Sequence, residues 1–386
     1  MKSEKKILNV GLVGCGFVAD YYMLTAKKYS NFTILGATDI IQERAKNFTA
    51  YHSISYYETV NDLVSDKEID IILNLTNPHS HYEVSKVALL NGKHVYCEKP
   101  MAMEFEQARE LKKIADDNNL QFSNAPCSLH GNAAQTLWKA IKDDQIGGIK
   151  LVYAEMDDGP VHLMNPENWK SKLGVPWPYE EEFETGCTIE HIGYCLTWLL
   201  AMFGPAVSVT AFSHALMPQK MPGIKTIDTP DFSVACIQHK SGVISRLTCG
   251  ILAPMDRSIT VVGEKGLLKV YDFWDNNAPV QIKHYSSLKL KAERKEWITN
   301  NPILKKVFNI NYSRIPSITR HGKAVKLSAR KVKMDYCLGI TDLAEAILTG
   351  GKPVLDAAFS LHVTELSLKR QNAMNNGSLS EIETSF

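Results

Sequence analysis

A glycine-rich segment near the start of the chain, Gly14-Cys15-Gly16-Phe17-Val18-Ala19, constrains the fold more than any other feature. It follows an apolar run over residues 7–13 that reads as a β-strand, and it opens a stretch that reads as a helix. Its two glycines permit a tight turn and let the backbone approach a pyrophosphate, while the helix N-terminus offers unpaired N–H groups. The pattern predicts a dinucleotide-binding turn whose cofactor contacts come from Gly14, Gly16, Phe17 and Val18.

The second constraint is an acidic residue, Asp39, at the end of the next β-like run, residues 32–38. It lies about 20 residues past the glycines, where a carboxylate can accept hydrogen bonds from the hydroxyls of an adenosine ribose. The same negative charge repels a 2′-phosphate, so the residue favours NAD over NADP. Arg44 is close enough in sequence to soften that preference, and an ordinary turn residue is the structural alternative for Asp39.

The alternation of strand-like and helix-like stretches up to about residue 125 predicts an α/β domain with a doubly wound parallel sheet, a Rossmann fold. Beyond residue 150, β-rich runs dominate, which predicts a C-terminal α+β domain with an open, mostly antiparallel sheet. We therefore expect an NAD-binding domain over residues 1–125 and a domain for substrate binding and oligomerisation over residues 126–386. The predicted strands are 7–13, 32–38, 69–75, 93–97 and 121–124, then 150–155, 207–213, 232–238, 243–249, 258–262 and 266–271.

The composition is that of an ordinary globular protein, with 45% hydrophobic and 22% charged residues in a chain of 386. The sequence holds no run of 18 apolar residues and no apolar segment typical of a secretion signal. The eight cysteines form no C-x-x-C pair, which favours reduced thiols and a cytoplasmic location. An uncovered sheet face in the second domain predicts a homodimer or homotetramer.

Two further motifs follow predicted strands of the first domain: Thr76-Asn77-Pro78-His79-Ser80-His81 and Glu98-Lys99-Pro100. Together with the N-terminal glycines and the closing Gly351-Lys352-Pro353-Val354, they resemble the Gfo/Idh/MocA family, the glucose-fructose oxidoreductase and inositol dehydrogenase group. The resemblance covers nearly the whole chain. It implies that Lys99 is catalytic, beside the nicotinamide and the substrate and often before a cis proline, and that cofactor contacts also come from Thr76, Asn77, His81, Glu98 and Lys99.

Members of that family carry an Asp and a His four residues apart, in the pattern D-x-G-x-H, where this chain reads Glu190-His191-Ile192-Gly193-Tyr194-Cys195. Anchoring on Gly193 puts His191 at the Asp position and Cys195 at the His position. A one-residue shift pairs Glu190 with Tyr194 instead, and either pair shares one helix face. We expect His191 to be the general base beside Lys99, with Tyr194 or Glu190 as helper. The structural alternatives are a core histidine and a packing cysteine.

A rigid aromatic loop, residues 164–179, precedes this helix and suits the apolar faces of a sugar ring, or else caps the junction of the two domains. Asp157, Asp158 and His162 are candidates to bind substrate hydroxyls. We expect no metal site, because the spacing of His162, His191 and Cys195 does not match a known zinc cluster.

A basic segment is the last informative feature. Residues 283–334 contain 14 Lys or Arg and 2 Glu, a net charge of +12 in a chain whose formal net charge is +1. It predicts an insertion that contacts the pyrophosphate of a nucleotide sugar or an anionic membrane surface, and a solvated face matched to another subunit is the alternative. Nucleic acid is not expected, because the segment carries no recognition motif.

Taken together, these features predict an enzyme, an NAD(H)-dependent oxidoreductase acting on a secondary hydroxyl or ketone of a sugar, cyclic polyol or nucleotide sugar. Two alternatives stay open. One is a redox-neutral epimerase or lyase that keeps its NAD tightly bound, and the other is a non-catalytic NAD-binding sensor or scaffold.

Overall fold

The N-terminal strands form one parallel sheet, in a computed structural model that describes residues 7–285, 297–298, 301, 303–304, 313–318, 333–373 and 378–386. Within these residues the sheet has six strands in the order β3-β2-β1-β4-β5-β6. This is the strand order of a dinucleotide-binding Rossmann sheet, so the predicted α/β class is confirmed. The strands are β1 (Leu8–Val13), β2 (Phe32–Thr38), β3 (Ser55–Tyr56), β4 (Ile71–Asn74), β5 (His94–Cys97) and β6 (Phe122–Asn124).

Helices lie on both faces of this sheet, as parallel strands that are apolar on both sides require. One core layer joins β1 to α1, α2 and α10, and the opposite layer contains α3, α4, α5 and α11. The helices are α1 (Ala19–Ala26), α2 (Gln42–His52), α3 (Val60–Ser65), α4 (His81–Leu90), α5 (Phe105–Asp117), α6 (Asn132–Lys142), α7 (Tyr179–Thr185), α8 (Cys187–His191), α9 (Gly193–Phe203), α10 (Leu338–Thr349) and α11 (Ala357–Gln371).

The second sheet is open and mostly antiparallel, as predicted; among the described strands only β7 and β10 pair in parallel. Its order is β14-β13-β12-β11-β7-β10-β9-β8-β15. Helices α6, α8, α9 and α11 pack on one face. The strands are β7 (Ile149–Asp157), β8 (Ala206–His214), β9 (Phe232–His239), β10 (Ile244–Gly250), β11 (Ile259–Gly263), β12 (Gly266–Val270), β13 (Val280–His284), β14 (Ser313–Arg314) and β15 (Ser378–Glu381).

The last two helices connect the halves of the molecule. Ile340, Leu343 and Ala344 of α10 are fully buried in the same cluster as Leu8 and Val10 of β1. Helix α11 contacts α5 and β6 of the first sheet as well as β8 and β9 of the second. The chain thus returns to complete the core of the first sheet, and the division at residues 125 and 126 stays a prediction.

Two other expectations concern segments beyond the first sheet. The predicted strands 232–238 and 243–249 correspond to β9 and β10, which form a hairpin: they pair antiparallel across a turn in which Gly242 has φ +85°. The basic insertion at 283–334 lies for the most part outside the described residues, so its proposed contacts stay predictions. Among the described residues, no helix is long and apolar enough to cross a membrane.

Gly14 is the residue that lets β1 turn into α1. Its φ is +96°, and a Cβ built on it would lie 2.7 Å from the carbonyl oxygen of Leu75, at the end of β4. An L-residue here meets both backbone strain and a backbone clash that no rotamer change can relieve. Gly16, two residues later, has neither problem, because a Cβ there would meet nothing within 4 Å.

We predict that Gly14→Ala lowers the free energy of unfolding by about 1–3 kcal/mol. Gly16→Ala is the matched control, and it should change that free energy by less than about 0.5 kcal/mol. Urea denaturation followed by circular dichroism measures both variants. Equal stabilities for the two variants would contradict the steric argument.

Candidate active site

The carboxyl ends of the parallel strands bring the glycine turn and Asp39 together. The backbone N–H of Cys15 donates to Oδ2 of Asp39 at 2.8 Å, and that of Ile41 donates to Oδ1 at 2.8 Å. Oδ1 can still accept a further hydrogen bond, whereas Oδ2 also faces the Arg44 guanidinium. The backbone at Gly16, in the same turn, is accessible to a ligand, because no other atom lies within 4 Å of the position that a Cβ would take. The turn therefore fits a dinucleotide, with Asp39 placed for a ribose and Gly16 for the pyrophosphate.

Arg44 lies beside the ribose end of this groove. Its Nη1 is 3.5 Å from Oδ2 of Asp39, and its side chain is 32% exposed whereas that of Asp39 is 4% exposed. The guanidinium therefore partly offsets the negative charge that would repel a 2′-phosphate. Phe17 and Val18 are half-buried in the turn that leads into α1.

The loop after β4 is fastened to the loop after β5 through His81. The imidazole is buried, with Nδ1 2.7 Å from the carbonyl oxygen of Pro100 and Nε2 3.0 Å from that of Thr76. Burial lowers the pKa of His81 to about 4, so the ring is neutral at pH 7. Thr76 is half-buried, and Asn77 is exposed and accepts the Ser80 N–H at 3.1 Å. A neutral imidazole carries one N–H, so His81 donates to one of these two carbonyl oxygens and holds the loop through it, while Thr76 and Asn77 remain at the loop's surface.

The buried carboxylate of Glu98 holds the loop after β5 in place by accepting two hydrogen bonds. The hydroxyl of buried Tyr22 donates to Oε1 of Glu98 at 2.7 Å, and the backbone N–H of Lys99 donates to Oε2 at 3.1 Å. The Lys99–Pro100 peptide bond is cis, as the family resemblance implied. These contacts set the position of the backbone from which the Lys99 side chain starts.

The Lys99 side chain reaches α8 and contacts the carboxylate of Glu190 through Nζ. The two side chains are 16% and 3% exposed. Burial alone would lower the pKa of Lys99, but the carboxylates of Glu190, Glu182 and Glu98 outweigh it and raise that pKa. Likewise, burial acts to raise the pKa of Glu190, but the Lys99 charge lowers it overall. At neutral pH the pair is therefore an ammonium and a carboxylate.

His191 faces a different partner. Its Nδ1 is 2.5 Å from Oδ2 of Asp158, and Nε of Arg257 is 2.5 Å from Oδ1 of the same carboxylate. Burial acts to raise the pKa of Asp158, but the charges of His191 and Arg257 lower it below its usual range. The Arg257 guanidinium lies 4.3 Å over the ring of Trp274, on which Tyr194 stacks at 4.0 Å.

The structure thus brings together only some of the residues that the sequence singles out. Glu190 is the one that contacts Lys99, so the geometry favours the shifted register rather than the one that put His191 beside Lys99. Tyr194 lines a small pocket with Glu98 and stacks as described. Cys195 is completely buried in the core, where burial raises the pKa of its thiol, as expected of a packing residue.

Sequence reasoning missed Glu182 and Arg257. Glu182 belongs to an acidic run, Glu180-Glu181-Glu182, and nothing in the sequence of that run distinguishes the one residue that is half-buried. Arg257 comes from the segment before β11, far from α8 in sequence. Among the described residues, no group of three or more His, Cys, Asp or Glu side chains is arranged to hold a metal ion.

The arrangement can handle a proton on a substrate oxygen. A buried ammonium donates hydrogen bonds and stabilises a developing alkoxide, and a carboxylate in contact with it can exchange a proton with it. The Lys99–Glu190 pair lies at the carboxyl end of β5, at the same sheet edge as the dinucleotide turn. A reacting carbon there can meet a dinucleotide and a proton donor at once.

Because His81 is neutral in the folded protein, we expect the free energy of unfolding to depend on pH. Because its folded pKa, about 4, lies below the unfolded value of 6.5, the unfolded chain takes up the proton first as the pH falls. The free energy of unfolding of the wild type should therefore drop between pH 6.5 and pH 4 by up to about 3 kcal/mol more than that of His81→Gln. Denaturant titrations at pH 7 and pH 4 measure this, and identical pH dependences would contradict it.

Comparison with known proteins identifies the family of this chain. Residues 8–125 match the model of the GFO_IDH_MocA oxidoreductase family with its NAD-binding Rossmann fold, and residues 134–269 match the GFO/IDH/MocA C-terminal domain. The chain is 23% identical, over 69% of its length and 73% of theirs, to an inositol 2-dehydrogenase/D-chiro-inositol 3-dehydrogenase of Lactiplantibacillus plantarum. Over the same shares it is 24% identical to a trans-1,2-dihydrobenzene-1,2-diol dehydrogenase of Bos taurus.

Solved structures share the whole fold. An NAD-binding oxidoreductase from Klebsiella pneumoniae superposes with a TM-score of 0.77 at 18% identity, over 98% of this chain and 100% of that one. A dehydrogenase from Bordetella pertussis in complex with NADH and UDP-GlcNAcA gives a TM-score of 0.70 at 17% identity, over 98% and 99%. With both of its domain models matched, the chain belongs to the Gfo/Idh/MocA family of oxidoreductases, and its first sheet is that family's NAD-binding Rossmann domain.

Proposed function

We propose that the protein is an NAD(H)-dependent oxidoreductase that interconverts a secondary hydroxyl and a ketone on a sugar, cyclic polyol or nucleotide sugar. The observation that carries the proposal is the buried contact between Lys99 and Glu190 at the sheet edge that also carries the dinucleotide turn. A charged lysine held in a nearly dry site is suited to bind the oxygen of a reacting alcohol or ketone.

The cofactor supplies hydride acceptance or donation at nicotinamide C4. Lys99 donates a hydrogen bond to the substrate oxygen and holds or gives the proton there, which orients the carbon that reacts. Glu190 keeps Lys99 charged and takes part in returning its proton. The cofactor contacts assigned to Gly14, Gly16, Phe17, Val18, Asp39, Thr76, Asn77, His81, Glu98 and Lys99 are part of the proposal. Buried Asp39 favours NAD over NADP.

The substrate class rests on the named relatives and on the aromatic loop. One relative is named for inositol, others for dihydrobenzenediols, and a structural neighbour was crystallised with a UDP-sugar. In this chain the rings of Trp169 and Trp177 pack against each other at an angle of 38°, with centroids 4.8 Å apart, in the loop that leads into α7. Aromatic faces of this kind suit the apolar face of a sugar or cyclitol ring.

The second sheet has one face that no described helix covers, called the uncovered face here, and this face supports a homodimer or homotetramer. Side chains with aromatic or aliphatic character project from it, including Tyr153 (39% exposed), Val207 (40%), Phe212 (36%) and Ile244 (37%). Exposed apolar side chains clustered on a sheet face are costly to leave in water, and a second copy of the chain would cover them.

We expect Lys99→Met to lower kcat by about 10²- to 10⁴-fold on any substrate that the wild type turns over, because the proton donor at the oxygen is gone. NADH binding, followed by fluorescence titration, should persist in the folded variant. Lys113→Met, on the exposed surface of α5, is the matched control and should keep wild-type kcat. Full activity in Lys99→Met would refute the assignment. A wild type that binds NAD(H) yet turns over no alcohol or ketone would favour the sensor or scaffold.

The oligomer is tested separately. Phe212→Glu places a charge on the uncovered face and should shift the assembly to monomers in analytical ultracentrifugation. Leu90→Glu, at the exposed end of α4 on the first sheet, is the control and should leave the assembly unchanged. A wild-type monomer, or an unaltered Phe212→Glu oligomer, would contradict this interface.

A further inference from the structure

Arg257 is a largely buried cation next to the candidate site that the proposed reaction does not use. Its Nε donates to Oδ1 of Asp158 at 2.5 Å, and its guanidinium carbon lies 4.3 Å over the ring of Trp274. No residue that the structure describes accepts a hydrogen bond from either Nη nitrogen. The side chain is 16% exposed, and neither Nη nitrogen is sealed from solvent. Two donors of a firmly held cation are therefore open to a ligand.

Asp158 leaves these two donors unused because its oxygens serve different neighbours. A carboxylate can take two parallel N–H groups of one guanidinium. Here only Oδ1 accepts from Arg257, whereas Oδ2 lies 2.5 Å from Nδ1 of His191. His191 directly follows Glu190 in α8, so this contact also connects the arginine to the Lys99–Glu190 pair.

A second set of contacts connects Arg257 to the same site. Trp274, against which the guanidinium packs, stacks on Tyr194 with ring centroids 4.0 Å apart. Tyr194 lines a small pocket together with Glu98, the residue before Lys99. Arg257 therefore lies on the second-sheet side of the candidate site, and Lys99 lies on the first-sheet side.

We propose that Arg257 binds a carboxylate of the substrate through its two Nη groups, so that the substrate is an acidic sugar such as a uronic acid. This inference rests on the proposed oxidoreductase function. The planar fork of a guanidinium matches the two oxygens of a carboxylate. Asp158 and Trp274 hold that fork in place before a substrate arrives, which reduces the entropy lost on binding.

The two cations then divide the substrate between them. Lys99 binds the reacting oxygen and Arg257 binds the carboxylate, so together they set which carbon meets the cofactor. A terminal phosphate fits this site less well. It would bring up to two negative charges next to Asp158, with one guanidinium to offset them.

Calorimetric titration of the NADH-loaded protein tests the proposal without turnover. The probes are glucuronate and galacturonate, compared with glucose and galactose, in which a CH₂OH group replaces the carboxylate. At least one acid should bind the wild type about 10- to 100-fold more tightly than its neutral partner, the range that charge-assisted hydrogen bonds supply. If neither acid binds more tightly than its neutral partner, the proposal is wrong.

Arg257→Gln removes the fork and should abolish this preference, while NADH affinity stays at the wild-type value. Arg257→Lys keeps the charge without the fork and should recover only part of the preference. Arg246→Gln is the matched control, since Arg246 also pairs with a β7 carboxylate, that of Glu155, and lies 4.7 Å over Tyr153, but on the uncovered face. It should keep the wild-type preference. Thermal unfolding verifies that each variant is folded, and a full preference in folded Arg257→Gln or Arg257→Lys would overturn the proposal.

Two further readings separate this proposal from its rivals. If UDP-glucose binds more tightly than glucose to the wild type but not to Arg257→Gln, the guanidinium binds a phosphate and the carboxylate proposal is wrong. Arg257-dependent binding of an acid by a protein that oxidises no alcohol with NAD⁺ would support the carboxylate site and contradict the proposed function. Turnover without any Arg257-dependent preference for an acid would overturn the carboxylate site alone.

Discussion

The buried ion pair between Lys99 and Glu190 is the contact on which the rest of this site depends. Removing an ammonium and a carboxylate from water costs several kcal/mol for each ion, and only close mutual contact offsets it. Lys99 follows β5 of the first sheet, whereas Glu190 lies in α8, which packs on the second sheet. The two charges therefore meet only when the two sheets are correctly docked. The contact that places both charges in the site thus also depends on the correct arrangement of the two sheets.

Separate sets of contacts hold Lys99 and Glu190 in position. Around Lys99, Tyr22 donates to the carboxylate of Glu98, which also accepts the backbone N–H of Lys99, and His81 contacts the carbonyl oxygen of Pro100. Around Glu190, the next residue along α8 pairs with Asp158 at the end of β7, in the second sheet. Because both supports are buried and polar, small displacements would leave polar groups unpaired, which is costly. A site supported in this way keeps its charged groups in fixed positions before any substrate arrives, which is the condition for electrostatic stabilisation of a transition state.

Much of the fold could be predicted, because β1, β2, β4 and β5 are apolar runs bounded by glycine or polar turns. The glycine motif, in addition, indicates a turn between a strand and a helix in a dinucleotide-binding domain. Short edge strands such as β3 and β15 carry no such periodicity and were missed. The choice between His191 and Glu190 could not be made from spacing, since both lie near one helix face. The choice depends on how α8 is oriented after the chain break at Gly186. The positive φ of Gly186 depends on tertiary contacts, which local sequence patterns do not show. Arg257 could not be found either, because a contact across about 100 residues of chain leaves no local pattern.

A double-mutant cycle on Lys99 and Glu190 tests the central claim most directly. The free energy of unfolding is measured for Lys99→Met, Glu190→Gln and the double variant, all with NAD⁺ absent. The account predicts that each single variant loses about 3–5 kcal/mol, because a buried partner is left unpaired, and that the double variant loses far less than the sum. Additive losses, within about 0.5 kcal/mol, would mean that the two side chains do not interact in the folded protein and would contradict the account.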